Sequence, residues 1–152
     1  MTRTPKTYDD LYTEAKGLID IKAPLFTNLG NLTALIKLRC KWFWVGFYEV
    51  INNELVLSAF QGPPACVKIS FGKGVCGKSW ELKKSIIVDN VSEFEGHIAC
   101  NEASKAEIVI PVFDKAQRVK FIFDIDHTNY GEFKLQDEVG LKKCLTLIEE
   151  LL

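Results

Sequence analysis

Nothing in this chain approaches the roughly 18 consecutive apolar residues of a membrane-spanning helix. Its opening, Met1-Thr2-Arg3-Thr4-Pro5-Lys6, is polar and leads into no apolar h-region, so no secretory signal is expected. Charge of one sign is equally scarce. The net charge is −1 with no basic stripe, which leaves nucleic acid and anionic membranes without an electrostatic hold. There is no internal repeat, low-complexity tract or linker. These absences lead to a cytoplasmic location and one domain over residues 1–152. A chain of that length, 47 % hydrophobic and 26 % charged, can bury one good core.

Cysteine, by contrast, is present in an odd count of five, which a purely structural disulfide framework would not explain. In a cytosolic protein a disulfide is usually transient and catalytic. Three of the thiols stand among turn residues: Gly62-Pro63-Pro64-Ala65-Cys66, Gly74-Val75-Cys76-Gly77 and Gly96-His97-Ile98-Ala99-Cys100. Gly and Pro around a thiol predict a loop where it can be reached. Three such thiols suggest redox chemistry or a metal. Cys144, on an apolar helical stripe, and Cys40, before Trp42-Phe43-Trp44, read instead as small buried hydrophobes.

The hydrophobic period organises the rest. Thr7 and Asp10 resemble a capping box opening a helix with Leu11, Ala15, Leu18 and Ile19 on one face. A second helix follows Pro24, with Leu25, Leu29, Leu32 and Ile36 at helical spacing. Phe43 to Val50 and Glu54 to Phe60 read as strands joined at Asn52-Asn53. Val67 to Phe71 and Ile86 to Val88 are short strands. Glu107 to Phe113 and Val119 to Asp126 form a further hairpin, and a last helix runs from about Leu135. Terminal helices around consecutive strands predict an α+β domain with a central, mainly antiparallel sheet of about six strands.

Gly72-Lys73-Gly74-Val75-Cys76-Gly77-Lys78-Ser79 satisfies the phosphate-loop pattern, and Lys120-Phe121-Ile122-Phe123-Asp124 resembles its apolar partner strand. That motif works within a βαβ unit, which needs a crossover of about a dozen residues. Only Trp80 to Ser85 separate it from the next strand, so nucleotide hydrolysis is not expected. The carboxylates are more informative. Alternation along Phe121-Ile122-Phe123-Asp124-Ile125-Asp126 puts Asp124 and Asp126 on one face. Crowded carboxyls rise in pKa and can hold a proton near neutral pH; the bland alternative is a face that meets water. Glu107 could join them across the hairpin, although its register is not fixed by the sequence.

These residues, together with Trp44-Val45-Gly46-Phe47-Tyr48, Phe60-Gln61-Gly62-Pro63-Pro64-Ala65-Cys66 and Ala106-Glu107-Ile108-Val109, resemble the free methionine-(R)-sulfoxide reductase family of GAF-type domains. The likeness runs from about Trp44 to Gly140, with ten residues from Cys66 to Cys76 and 24 from Cys76 to Cys100. It implies a GAF-like fold and gives Cys100 the role of catalytic thiol. Cys100 would reduce free methionine-(R)-sulfoxide and become a sulfenic acid. Cys66 or Cys76, with Cys66 the first choice, would condense with it to a disulfide. Thioredoxin, kept reduced with electrons from NADPH, would reopen that bond. The resemblance also implies that Glu107, Asp124 and Asp126 surround the sulfoxide oxygen and that Trp44 and Tyr48 cover the sulfur end. It implies no bound cofactor or metal, and a homodimer through helices is compatible with it. Asn101 stands where the family usually has Asp, and His127 where Ser is common.

Two other readings remain at this stage. One is a non-catalytic ligand- or redox-sensing GAF module. The other is a zinc site from Cys66, Cys76, Cys100 and His97, disfavoured because structural zinc usually takes paired ligands such as C-x₂-C. His97 could serve as a general acid, or could hold the Cys100 loop. The second role is preferred, because the acidic cluster already supplies protons.

Overall fold

The computed structural model describes residues 2–152. Six antiparallel strands make one sheet: β1 (Trp44–Ile51), β2 (Glu54–Gln61), β3 (Lys68–Ser70), β4 (Ile86–Val88), β5 (Ala106–Phe113) and β6 (Val119–His127). Their order is β3-β2-β1-β6-β5-β4. The helices are α1 (Pro5–Leu18), α2 (Leu25–Cys40), α3 (Gly74–Leu82) and α4 (Leu135–Glu149). This is the expected α+β architecture.

Strand alternation divides the sheet into two chemically different faces. Val45 and Phe47 of β1, Ile108 and Ile110 of β5, and Phe121, Phe123 and Ile125 of β6 point to one side. There they meet Leu11 and Ala15 of α1, Leu29, Leu32 and Ile36 of α2, and Leu141, Cys144, Leu145 and Ile148 of α4. Phe47 and Phe123 are fully buried, with ring centroids 4.7 Å apart. The other face carries Trp44, Tyr48, Val109 and Ile122, and α3 lies across it with Val75 and Cys76. Asn52 and Asn53 both take positive φ, 50° and 63°, as the tight β1–β2 hairpin turn requires.

Three local expectations change. The capping box of α1 is Thr4 with Thr7, not Thr7 with Asp10, because Pro5 can occupy the first helical position without losing a needed N–H. The buried face of α1 is correspondingly Tyr8, Leu11 and Ala15, while Leu18 is exposed. β1 begins at Trp44, one residue after the expected start.

The third change matters most. Gly74 to Gly77, expected to be loop, open the helix α3. Its glycines fit the helix into place. Gly74 adopts φ 62° at its start, and a Cβ on Gly77 would come within 2.6 Å of the Ser70 carbonyl oxygen. Cys76 is therefore buried at 3 % exposure, which corrects the reading of it as a reachable loop thiol. α3 begins inside the phosphate-loop pattern, at Gly74, so most of the segment that would have to loop around a phosphate is itself helical. In addition, β3 and β4 on either side of α3 are opposite edges of an antiparallel sheet, so the parallel βαβ context is absent. Lys78 instead pairs with Glu81 at the surface, 2.6 Å away.

Candidate active site

The register of the central strands assembles the acidic floor of a pocket. Asp126 of β6 lies opposite Trp44 of β1 and opposite Glu107 of β5. Asp124, two residues earlier on the same face, lies opposite Gly46 and Val109. Glu107 thus joins the two aspartates, which settles the register left open by the sequence. Glu107 and Asp124 are buried at 5 % and 6 % exposure. Asp126 is partly buried.

Burial is the main force on all three acids, raising each well above the usual carboxylate range by penalising its charged form. Mutual repulsion adds to it: Asp126 raises Glu107, Glu107 raises Asp124, and Asp124 raises Asp126. The neighbouring Ser104 hydroxyl partly opposes this at Asp126. The buried Oδ1 of Asp124 has no hydrogen-bond partner among the described residues. An acid floor of this kind favours the protonated form of its carboxyls.

Around the floor stand groups from the covering segments. Cys76 of α3 brings its Sγ to 3.8 Å from Oε1 of Glu107. His97 brings Nε2 to 3.7 Å from Oε2 of the same carboxyl, and burial lowers the imidazole pKa. His97 was weighed in the sequence; Ser104 and Phe43, which also line the pocket, were missed. Ser104 lies just before β5 and carries no local pattern that would have marked it. The pocket further includes Pro64, Ala65, Ile98 and Cys100.

Cys66 and Cys100, half-buried in two loops, are joined by a disulfide with their Cα atoms 5.3 Å apart. The loop of Cys66 is held from beneath. The Trp44 indole N–H donates to the Pro63 carbonyl at 3.0 Å, and the Tyr48 hydroxyl donates to the Cys66 carbonyl at 2.9 Å. The Trp44 ring stacks on Phe60 at 5.4 Å, over Gly46, whose missing Cβ leaves room for it. On the other side Ile98 packs over Gly74, where a Cβ would approach its side chain to 3.1 Å. The structure thus brings together Trp44, Tyr48, Cys66, Cys76, Cys100, Glu107, Asp124 and Asp126. The departures are accommodated. Asn101 Oδ1 accepts from Ala103 N at 2.8 Å, as an Asp could, and His127 Nδ1 accepts from Phe43 N at 3.2 Å.

No family model matches the chain. Individual relatives do. Over 146 residues it is 38 % identical to the free methionine-R-sulfoxide reductase of Escherichia coli, covering 95 % of this chain and 88 % of that one. The chain belongs to the free methionine-R-sulfoxide reductase family. It is also 42 % identical to GAF domain-containing protein A of Dictyostelium discoideum, over 93 % of this chain and 90 % of that one. Among solved structures, the family's Neisseria meningitidis reductase in complex with its substrate superposes with a TM-score of 0.94 at 33 % identity. That match covers 99 % of this chain and 91 % of the other. The fold is GAF-like, as expected.

In this family member, Cys76, Glu107 and Asp124 also have the proximity of metal ligands, with donor atoms within 4.8 Å of one another. Metal ligation needs a thiolate and ionised carboxylates. Burial drives all three towards their neutral forms. The arrangement is better matched to holding protons. Among the described residues no helix is long and apolar enough to cross a membrane.

Proposed function

We propose that this chain reduces free methionine-(R)-sulfoxide to methionine in the cytoplasm, with Cys100 as the attacking thiol and Cys66 as its resolving partner. The observation that carries the reading is the Cys66–Cys100 bond beside a pocket floored by three carboxyls held towards protonation. The similar Neisseria reductase, solved with its substrate, supports the choice of substrate.

Cys100 sulfur attacks the sulfoxide sulfur, and the sulfoxide oxygen passes to Cys100. Two electrons leave the Cys100 sulfur and reduce the substrate sulfur, releasing methionine and a sulfenic acid. The thiol proton of Cys100 is carried through the acid cluster to the departing oxygen. Glu107, Asp124 and Asp126 would hold and deliver it. Cys66 then attacks the Cys100 sulfenic acid, and its own proton leaves with the hydroxyl as water. A dithiol reductant of the thioredoxin class, recharged by NADPH, restores both thiols by exchange. No bound metal or organic cofactor is needed, because the thiols supply the electrons. The aromatic faces of Trp44 and Tyr48 suit a sulfur-bearing side chain.

The test is an NADPH-coupled thioredoxin assay on separated R- and S-sulfoxides of free methionine, with Cys100→Ser alongside. Consumption with the R form alone, absent in the folded variant, is the expected result. Full activity of Cys100→Ser would remove that residue from its role. No turnover by reduced, folded wild-type protein would point to a sensing module instead.

A further inference from the structure

The proposed cycle uses two thiols, yet a third lies within the same pocket. We infer that Cys76 is a positioning residue, a neutral thiol that donates to Oε1 of Glu107 and takes no part in disulfide exchange. This rests on the reductase reading above.

Three observations separate Cys76 from a resolving thiol. Its backbone lies in the first turn of α3, which is fixed by close packing: Gly77 sits against the Ser70 carbonyl, and Gly72 N donates to Gly77 O at 3.1 Å. Cys66 and Cys100, in contrast, stand on loops and are already joined. Second, Cys76 is 3 % exposed, so a protein reductant could not reach a disulfide formed there without displacing α3. Third, the sulfur faces a carboxyl oxygen, at a distance suited to a sulfur hydrogen bond. Burial keeps this thiol neutral, and a neutral thiol is a poor nucleophile.

The consequence lies in the Glu107 carboxyl. Its two oxygens have different neighbours, Cys76 at Oε1 and His97 at Oε2, while Asp124 and Asp126 of β6 face the same carboxyl in every variant tested. A thiol is a weak acceptor but can donate. The S–H bond therefore marks Oε1 as the acceptor and leaves the acidic hydrogen on Oε2. Cys76 fixes which way the acid points.

The test uses reduced full-length wild type, Cys76→Ser and Cys76→Ala with the R-sulfoxide. One equivalent of substrate should release one methionine and take wild type from five free thiols to three. Cys76→Ala should go from four to two, and thioredoxin turnover should persist in both variants. Thiol donation favours the ionised form of Glu107, so its loss should move the alkaline limb of kcat/KM to higher pH in Cys76→Ala. Cys76→Ser, which keeps a donor, should restore the limb. The rate should fall about three- to tenfold in Cys76→Ala, the size of one modest hydrogen bond.

An infrared difference spectrum between wild type and Cys76→Ser supplies a readout independent of activity. The Cys76 S–H stretch should lie below that of Cys144, isolated in the same way through Cys144→Ala. This measurement stands even if wild type proves inactive, which would defeat the reductase reading alone, and even if Cys76→Ala fails to fold. A sulfenic acid trapped at Cys100 in either Cys76 variant would overturn the inference by making Cys76 the resolving thiol. An unshifted S–H band, or pH profiles identical to wild type in both variants, would overturn it as well.

Discussion

Replacing Glu107 with Gln separates shape from acidity. The amide keeps the volume and an acceptor for the Cys76 thiol but cannot deliver a proton. General acid catalysis typically contributes about 10²- to 10⁴-fold, or roughly 3–5 kcal/mol of barrier. Asp126 lies directly across from Glu107 and remains as a second acid, so a loss near the lower end, about 10²-fold in kcat/KM, is expected. Stability should move the other way. Burial raises the folded pKa of Glu107 above its unfolded value of 4.5. Its contribution is therefore complete below pH 4.5 and is lost as pH rises towards the folded pKa, by up to about 1.4 kcal/mol per pH unit. Glu107→Gln escapes that loss. It should match wild type most closely near pH 4.5 and gain on it steadily towards pH 7. Urea denaturation at a series of pH values measures the stability, and single-turnover methionine release measures the chemistry. A variant within threefold of the wild-type rate, or one whose relative stability falls between pH 4.5 and 7, would refute the reasoning.

Tyr48→Phe removes the hydroxyl that holds the Cys66 carbonyl, a hydrogen bond worth about 0.5–1.5 kcal/mol. It should slow disulfide formation more than the first release of methionine, and rapid-quench thiol counting would resolve the two steps. Phe123→Ala, deep beneath the helical layer, should cost about 3–5 kcal/mol in denaturant unfolding. A cost under 1 kcal/mol would mean that α2 and α4 do not depend on that packing.

The sequence was most legible where one physical period dominated. Alternation in β6 was enough to put Asp124 and Asp126 together, because the opposite face is an unbroken series of Phe121, Phe123 and Ile125. Glu107 needed more information. Its partner is set by the β5–β6 loop geometry and by a register shift between Val112 and Phe113, neither visible in a hydrophobic pattern. α3 was hidden for the opposite reason. Gly72, Gly74 and Gly77 look like helix breakers, but Gly74 provides a left-handed entry and Gly77 permits close backbone contact, and both are tertiary requirements. Misreading that segment also misplaced Cys76. Cys66 and Cys100 were legible as loop thiols because Pro and Gly near them do mark turns.

Trp44 and Tyr48 grip the Cys66 loop through carbonyl oxygens, a handle that every amino acid possesses. The anchor is consequently blind to side-chain identity. Pro64 and Ala65 could be exchanged for many residues without loosening the loop, so their side chains are free to tune what enters the pocket they line. Saturation libraries at these two positions should therefore yield variants altered in ligand preference while retaining the fold, making this short segment the natural place to redirect the site.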